Sequence, residues 1–288
     1  MVRIAGKVSL LVVGIGALAI MASMFVFTLS VTTEVESSKQ ELVTQKSLQE
    51  PITAVSAYVF DLETGAYVYA KNAHDPRPIA SITKLLSSAI FFEHAPSNAT
   101  ATIQWSDVRE EGRSGRLAYG QEYQNKELLF PALLESSNDA AKTMQRVAFG
   151  DLVESMNEYV DNLGLSQTSF VDTSGLRAGN ISTAHELGKL GAALYQQYPH
   201  IIDITRLEKY LNHINAWMNT SPFITEEGYK GGKHGYTYEA QKTAISFFEE
   251  SLSSGQSRII VYVLLGSSDL KADMATLRDH VQESLVFE

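Results

Sequence analysis

The segment PIASITKLLSSAI, from Pro78 to Ile90, places a serine and a lysine three residues apart where a helix is predicted to begin. Its apolar residues recur at the spacing that puts them on one buried face of a helix. The same spacing places Ser81 and Lys84 next to each other on the helix surface. A serine cap followed by an ordinary lysine would give this pattern too. However, a cation in the first turn opposes the helix dipole, and a lysine beside a serine hydroxyl suits an activated nucleophile.

The composition of the 288-residue chain predicts a globular protein and excludes several classes of function. Apolar residues make up 44% of the chain, which is enough for a large core. The formal net charge of −10 offers no basic surface, so we expect no nucleic-acid partner. The chain has no cysteine, which excludes disulfides, thiolate metal sites and a cysteine nucleophile. No H-E-x-x-H or paired-histidine pattern suggests zinc, and we expect neither a metal ion nor another cofactor.

The N-terminal region predicts a membrane anchor. Residues 8–31 are 24 mostly apolar residues without a charge. As a helix they would span about 36 Å, against about 30 Å for the hydrocarbon core of a bilayer. A signal peptide has a shorter apolar region and a small-residue cleavage site, so an uncleaved anchor is favoured. Basic residues precede the span and acidic residues follow it, which predicts a cytoplasmic tip at residues 1–7 and a domain on the outer side.

The remainder of the chain predicts a stalk and one α+β domain. Residues 32–50 are polar and suit a linker, and residues 51–288 form the domain. Two β-rich runs flank Glu63-Thr-Gly65 as a hairpin, and the chain is predicted to be largely helical from about residue 82 to 200. After a poorly patterned stretch at residues 200–228, three strands and a closing helix follow. Strands at both ends with helices between them predict a sheet made from distant segments.

Three short motifs carry the candidate chemistry. They are S-x-x-K at Ser81–Lys84, S-x-N at Ser136–Asn138 and K-x-G at Lys233–Gly235. Each motif is weak alone, because the chain holds a second copy of each, at Ser268–Lys271, Ser155–Asn157 and Lys230–Gly232. Only the first set places the serine at a helix start, the S-x-N between helices and the K-x-G in a late strand.

With these motifs in that order, the sequence resembles the penicillin-interacting serine D-alanyl-D-alanine carboxypeptidases, the low-molecular-weight penicillin-binding proteins. The resemblance covers nearly all of residues 51–288 and indicates a peptidase S11-like chain. It includes the pieces FDLETG, RPIASITKL, LLESSNDAA, LVESMNEYVDNLGLSQTSFVDTSGL and KGGKHGYTYEA. It implies a β-lactamase/transpeptidase-like fold, in which an antiparallel sheet from both chain ends carries a helical subdomain.

The resemblance implies acyl transfer through a covalent ester on Ser81. The serine would attack the terminal D-Ala-D-Ala bond of a peptidoglycan pentapeptide, and β-lactams would act as covalent inhibitors. Lys84 would be the base, which requires burial or nearby positive charge to lower its pKa. Ser136 would relay a proton to the leaving amine.

The resemblance also implies four substrate-binding residues. Asn138 would orient Lys84 and bind a substrate amide, and Lys233 would supply charge for the substrate carboxylate. Gly235 would leave room for the substrate backbone against the strand. His234 is a departure, because the family usually has Thr or Ser at this position. Without the resemblance, Ser136 and Asn138 would be interpreted as helix caps and Lys233 as a solvated strand lysine.

Two alternative functions remain open at this stage. A β-lactamase-like hydrolase would need a further glutamate, and an E-x-x-L-N pattern occurs at Glu208–Asn212, although it lies late in the chain. A membrane-tethered penicillin-binding or sensor module with a degenerate site is suggested by His234 and by the anchor. The favoured prediction is a single-pass carboxypeptidase of the bacterial cell membrane with an extracytoplasmic catalytic domain. The balance with transpeptidase or endopeptidase activity stays open.

Overall fold

The computed structural model describes residues 48, 51–95, 98–109, 111–112, 114–251 and 255–284. The predicted cytoplasmic tip and anchor (residues 1–31), and all but one residue of the predicted stalk (residues 32–50), lie outside this set. Among the residues that are described, no helix is long and apolar enough to cross a membrane.

The central sheet is built from both ends of the domain. Its five strands are antiparallel neighbours in the order β2-β1-β11-β10-β9, so β2 and β9 are the edges. The five strands are β1 (Ser56–Asp61), β2 (Tyr67–Lys71), β9 (Tyr229–Thr237), β10 (Gln241–Ser251) and β11 (Ser257–Ser267). The predicted α+β architecture, with a sheet made from distant segments, is confirmed.

Strand β11 lies in the middle of the sheet and is buried on both faces. Val261 and Val263 belong to the larger core on one face, and Ile260 and Tyr262 belong to a smaller core on the other. Because helices cover both faces, the strand sequence is continuously apolar and does not alternate.

The helices form a layer on each face of the sheet. In chain order they are α1 (Thr83–His94), α2 (Leu129–Leu134), α3 (Asn138–Val147), α4 (Leu152–Asn162), α5 (Ala184–Gln197), α6 (Pro199–Thr205) and α7 (Leu270–Ser284). Helix α5 packs closely on the sheet at Gly191. A Cβ added there would be 2.3 Å from Ile245 Cδ1, so any side chain at this position would require Ile245 to shift. Helix α7 covers the opposite face through Met274 and Leu277.

One predicted helix boundary is confirmed by the structure. The break at Ser136-Ser-Asn138 separates α2 from α3, as predicted. Pro131 lies within α2, which has only six residues and follows a 3-10 turn at Asn125–Leu128; a proline removes a hydrogen bond from a helix interior and keeps such a helix short. Gly164 follows α4 with a φ of +70°, the left-handed conformation that a glycine adopts at a helix end.

The prediction of a largely helical region from residue 82 to 200 is wrong between residues 100 and 124. This part holds loops and the two-stranded ribbon of β4 (Thr100–Thr102) and β5 (Glu122–Gln124). Glycines with positive φ at Gly115 and Gly120 interrupt the chain there, and a continuous helix cannot include them. Further along, the poorly patterned stretch forms α6 and a ribbon of β7 (Lys209–Leu211) and β8 (Ala216–Met218). A last short pair joins β3 (Arg77–Pro78) and β6 (Ile181–Ser182).

Candidate active site

Ser81 lies in a strained turn directly before α1. The 3-10 turn Ala80–Ile82 leads into the helix, and no side chain caps the start of either element, so Ser81 is not a helix cap. Ala80 has a φ of +49°, a conformation that costs a residue other than glycine about 1–3 kcal/mol. The Thr83 hydroxyl holds this turn by donating to the Ala80 carbonyl at 2.8 Å. Strain of this kind is typical of functional sites.

Lys84 is fully buried beside Ser81. Its exposed fraction is 0%, and its Nζ lies 3.0 Å from Ser81 Oγ. Nζ also donates to Asn138 Oδ1 at 2.8 Å and to the carbonyl oxygen of Ser174 at 2.6 Å. The structure therefore brings together the S-x-x-K pair and the asparagine of the S-x-N motif.

The three contacts of Lys84 can orient a neutral amine. The amide oxygen of Asn138 and the carbonyl of Ser174 only accept hydrogen bonds. When the amine is neutral, its two N–H groups satisfy these acceptors and its lone pair is left for the Ser81 hydroxyl. The geometry therefore allows Ser81 to donate its proton to Lys84.

The environment of Lys84 favours this neutral form. Burial lowers the pKa of Lys84 well below its ordinary value, and the nearby charge of Lys233 lowers it further. Asp172 acts in the opposite direction and raises it. The pKa requirement for a lysine base is thus met by the structure.

The S-x-N motif is organised by the residue between its two named positions. Ser137 is the N-cap of α3, because its Oγ accepts from Ala140 N at 3.1 Å. Asn138 is therefore free for the site, where its Nδ2 donates to the Glu111 carbonyl at 2.7 Å. This amide joins the cleft wall to Lys84, and the interpretation of Ser136 and Asn138 as helix caps is wrong.

Ser136 lines the cleft in an unusual backbone conformation. Its φ is +59°, and its buried Oγ has no hydrogen-bond partner among the described residues. A buried hydroxyl without a partner is costly, which makes it a strong candidate to contact a bound molecule.

Strand β9 forms the other wall of the site. Gly235 lies so close to the nucleophile that a Cβ added there would be 2.5 Å from Ser81 N. Any side chain would displace the turn, so this position requires glycine. Lys233 is 2% exposed and donates to the His234 carbonyl at 2.7 Å, so its interpretation as a solvated strand lysine is wrong.

The pKa values of two side chains on β9 are lowered by their surroundings. Burial lowers the pKa of Lys233 to about 7, so the charge predicted for it titrates near neutrality. Burial lowers the pKa of His234 to about 3, with further contributions from Lys233 and Lys84. His234 is therefore a neutral hydrogen-bonding group at working pH.

These residues surround an open cleft of about 730 Å³. Five of the seven predicted site residues line it directly, while the two lysines lie buried beneath. The lining residues from the motifs are Ser81, Ser136, Asn138, His234 and Gly235. Glu208, the glutamate required by the β-lactamase alternative, is not part of this lining. Within the described part of the chain, no group of His, Asp or Glu is arranged to hold a metal ion.

The contribution of Ser174 was missed by the sequence motifs. It acts through a backbone carbonyl, which leaves no signature in residue type. The only available signal was the piece FVDTSGL, which contributed to the resemblance without a role for any of its residues.

Comparisons with known proteins place the chain in a family. The family model of peptidase S11, described as D-alanyl-D-alanine carboxypeptidase, matches residues 42–268. A D-alanyl-D-alanine endopeptidase of Pseudomonas aeruginosa is 28% identical over 243 residues, which are 80% of this chain and 78% of that protein. The D-alanyl-D-alanine carboxypeptidase DacF of Bacillus subtilis is 30% identical over 236 residues, which are 76% of this chain and 58% of that protein.

A solved structure supports the assignment of the fold. Penicillin-binding protein D2 of Listeria monocytogenes, in its cefotaxime-bound form, superposes with a TM-score of 0.72. The match covers 83% of this chain and all of that chain, at 22% sequence identity, and it therefore speaks for the fold alone. The family model covers well over half of the sequence and both curated relatives carry D-alanyl-D-alanine peptidase names, so the chain belongs to the peptidase S11 family of serine-type D-alanyl-D-alanine peptidases.

Proposed function

We propose that the protein is a serine-type D-Ala-D-Ala carboxypeptidase that acts on peptidoglycan stem peptides through an acyl-enzyme on Ser81. The observation that carries this proposal is the buried amine of Lys84, 3.0 Å from Ser81 Oγ and in contact with two further acceptors. A lysine in that environment serves as a base, and a structural role does not require its burial.

Acylation begins when Ser81 Oγ attacks the carbonyl carbon of the bond between the two D-alanines. The Oγ–C bond forms, the Ser81 proton moves to Lys84 Nζ, and the carbonyl π electrons move to oxygen. Backbone N–H groups of Ser81 and of β9 stabilise the resulting oxyanion. The tetrahedral intermediate then collapses, and the C–N bond breaks.

The leaving amine receives its proton through Ser136. Ser136 lines the cleft, and its Oγ, which has no hydrogen-bond partner among the described residues, donates its own hydrogen to the amine and accepts the proton held by Lys84. Free D-alanine departs, and an ester joins the peptide to Ser81. Water then attacks this ester with Lys84 again as the base, which restores the serine and releases the shortened peptide.

The β9 wall binds the terminal carboxylate of the substrate. Protonated Lys233 supplies the positive charge, and a bound carboxylate in turn raises its pKa and keeps it protonated. Neutral His234 donates one hydrogen bond where the family usually offers a hydroxyl. Gly235 lets the substrate backbone approach the nucleophile.

The same machinery accounts for inhibition by β-lactams. The lactam carbonyl takes the place of the scissile amide, and Ser81 opens the ring to form an ester. The leaving nitrogen stays attached to the acyl group and blocks water. The cefotaxime-bound form of the Listeria monocytogenes protein, which shares this fold, supports the proposal.

An endopeptidase is the second candidate. The Pseudomonas aeruginosa relative carries that name, and the cleft remains open beyond the nucleophile, where Tyr236 and Tyr238 are largely exposed. An endopeptidase would use the same acyl-enzyme and would release a cross-linked peptide in place of free D-alanine.

The products of two substrates decide between these functions. We expect the full-length chain in detergent to convert a stem pentapeptide to the tetrapeptide and D-alanine, as measured by mass spectrometry. Cleavage restricted to a cross-linked dimer would establish the endopeptidase instead. Penicillin labelling without turnover of either substrate would indicate a sensor module, and rapid hydrolysis of penicillin would indicate a β-lactamase.

We also propose that residues 8–31 anchor the protein in the bacterial cell membrane with the domain of residues 51–288 outside, joined by the stalk at residues 32–50. The support is the 24-residue uncharged span preceded by Arg3 and Lys7. Full-length protein is expected in the membrane fraction, with a domain that added protease digests in spheroplasts. If cells that express the full-length protein instead yielded a soluble product from which residues 8–31 had been cleaved, the result would contradict this proposal.

A further inference from the structure

The loop that follows Phe170 contains Asp172, whose carboxylate accepts a network of hydrogen bonds. None of the three motifs includes this residue. Asp172 accepts five hydrogen bonds. Its Oδ1 accepts from Ser174 N at 2.8 Å, Ser174 Oγ at 3.0 Å and Gly175 N at 2.6 Å. Its Oδ2 accepts from Arg177 N and from Asn180 Nδ2, each at 2.9 Å. One side chain therefore sets the path of the backbone that presents the Ser174 carbonyl to Lys84.

The neighbouring helices fix the position of this loop. Ser87 on α1 donates to the Thr173 carbonyl at 2.8 Å, and the Thr173 hydroxyl donates to the Ala141 carbonyl on α3 at 3.0 Å. Gly175 packs against the strained turn, since a Cβ added there would be 1.9 Å from the Ala80 carbonyl oxygen. The loop thus contacts α1, which carries Lys84, and α3, which carries Asn138.

We propose that Asp172 is a positioning residue for acyl transfer, which holds the Ser174 carbonyl against Lys84 Nζ and so directs the lone pair of the amine to Ser81. This inference rests on the proposed function. Lys84 has two fixed acceptors besides Ser81, and the carbonyl of Ser174 is the closer one, at 2.6 Å. If that carbonyl turned away, one N–H would be free to rotate toward Ser81, and the lone pair would no longer face the hydroxyl proton.

Asp172 also acts on Lys84 through its negative charge. Among the described residues, the charged groups that act on Lys84 are Lys233 on β9, which lowers its pKa, and Asp172, which raises it. The nearby His234 is neutral. Although burial opposes ionisation of Asp172, its hydrogen bonds keep the pKa of this carboxyl below the ordinary value. Asp172 is therefore ionised throughout the working range of pH.

The test is the rate of acylation by a fluorescent penicillin, measured from pH 5 to pH 9. In Asp172→Asn we expect the rate at pH 7 to fall about 10- to 100-fold, because charge-assisted hydrogen bonds to the loop are lost. The acid limb of the profile, where the rate rises with pH, should move to lower pH. Removal of the carboxylate lets the pKa of Lys84 fall further, so the amine becomes neutral at a lower pH. A lower rate without a shift of this limb would indicate a general loosening of the structure and would overturn the inference.

The matched control is Asp151→Asn. Asp151 also accepts backbone N–H groups, from Val153 at 2.9 Å and Glu154 at 3.3 Å, but it caps α4 at the surface. The Asp151→Asn substitution makes the same chemical change outside the site. We expect its acylation rate and pH profile to match those of the wild type.

A second variant keeps the inference testable if Asp172→Asn does not fold. Asp172→Glu retains the charge and displaces the acceptors, so the acid limb should stay near its wild-type position while the rate falls. A folded Asp172→Asn protein with the rate and acid limb of the Asp151→Asn control would overturn the inference, as would an Asp172→Glu protein with the wild-type rate. Failure of the wild type itself to be acylated would overturn the proposed function instead.

Discussion

Ser81→Ala is expected to abolish covalent labelling by penicillin and release of D-alanine, with a loss of about 10⁴-fold or more in rate. The variant removes the only proposed nucleophile, and no other hydroxyl is described within hydrogen-bond distance of Lys84 Nζ among the residues the structure covers. The fold should persist, because Ser81 caps no helix. Intact-mass spectrometry after incubation with penicillin measures the adduct directly.

The chain provides its own control for this experiment. Ser268 begins the second S-x-x-K, between β11 and α7, where its carbonyl accepts from Lys242. Ser268→Ala is expected to label at the wild-type rate. An adduct of undiminished yield on Ser81→Ala would refute the nucleophile assignment.

Lys84→Ala is expected to lower the acylation rate about 10²- to 10⁴-fold, the usual contribution of a general base. Binding of the substrate should change little, because Lys84 lies beneath the cleft and does not line it. Removal of the amine leaves the buried Asn138 Oδ1 and Ser174 carbonyl without a donor. Lys84→Met restores most of the side-chain volume without the amine, and it tests whether volume alone recovers any of the acylation rate. Lys271→Ala, in the second S-x-x-K, is the matched control, and its rate should equal that of the wild type.

The pH dependence of the wild type provides an independent measure of the same role. The base is active when neutral, so acylation should rise with pH through the lowered pKa of Lys84. In the proposed mechanism the charged form of Lys233 binds the substrate carboxylate, so kcat/KM should fall again as the pH passes its pKa of about 7. The rising limb should disappear in Lys84→Ala. A Lys84→Ala protein that retains both the rate and the rising limb would exclude Lys84 as the base.

Much of the fold was predictable because its signals are local. The hairpin around Glu63-Thr-Gly65, the late strands and the closing helix follow from apolar periodicity and turn residues. The region at residues 100–124 was not predictable in this way. Its short strands are held by partners outside the local sequence, and three residues in each strand give too little pattern to identify them.

The motif between α2 and α3 shows how local patterns mislead about roles. Ser136 and Ser137 are equally good helix caps by residue type. In the structure, Ser137 makes the cap and Ser136 adopts a positive φ with its hydroxyl unpartnered among the described residues. The choice depends on backbone conformation, which residue type alone does not determine.

That Ser81 and Lys84 are neighbours follows from their spacing alone, because two side chains three residues apart in a helical turn lie together wherever that turn is placed. The burial of this lysine and its lowered pKa depend on the tertiary fold, since its acceptors Asn138 and Ser174 are 54 and 90 residues away in sequence. The second S-x-x-K, at Ser268–Lys271, has the same spacing without that environment. Burial and nearby charge set a pKa, and both come from segments that meet only when the chain folds.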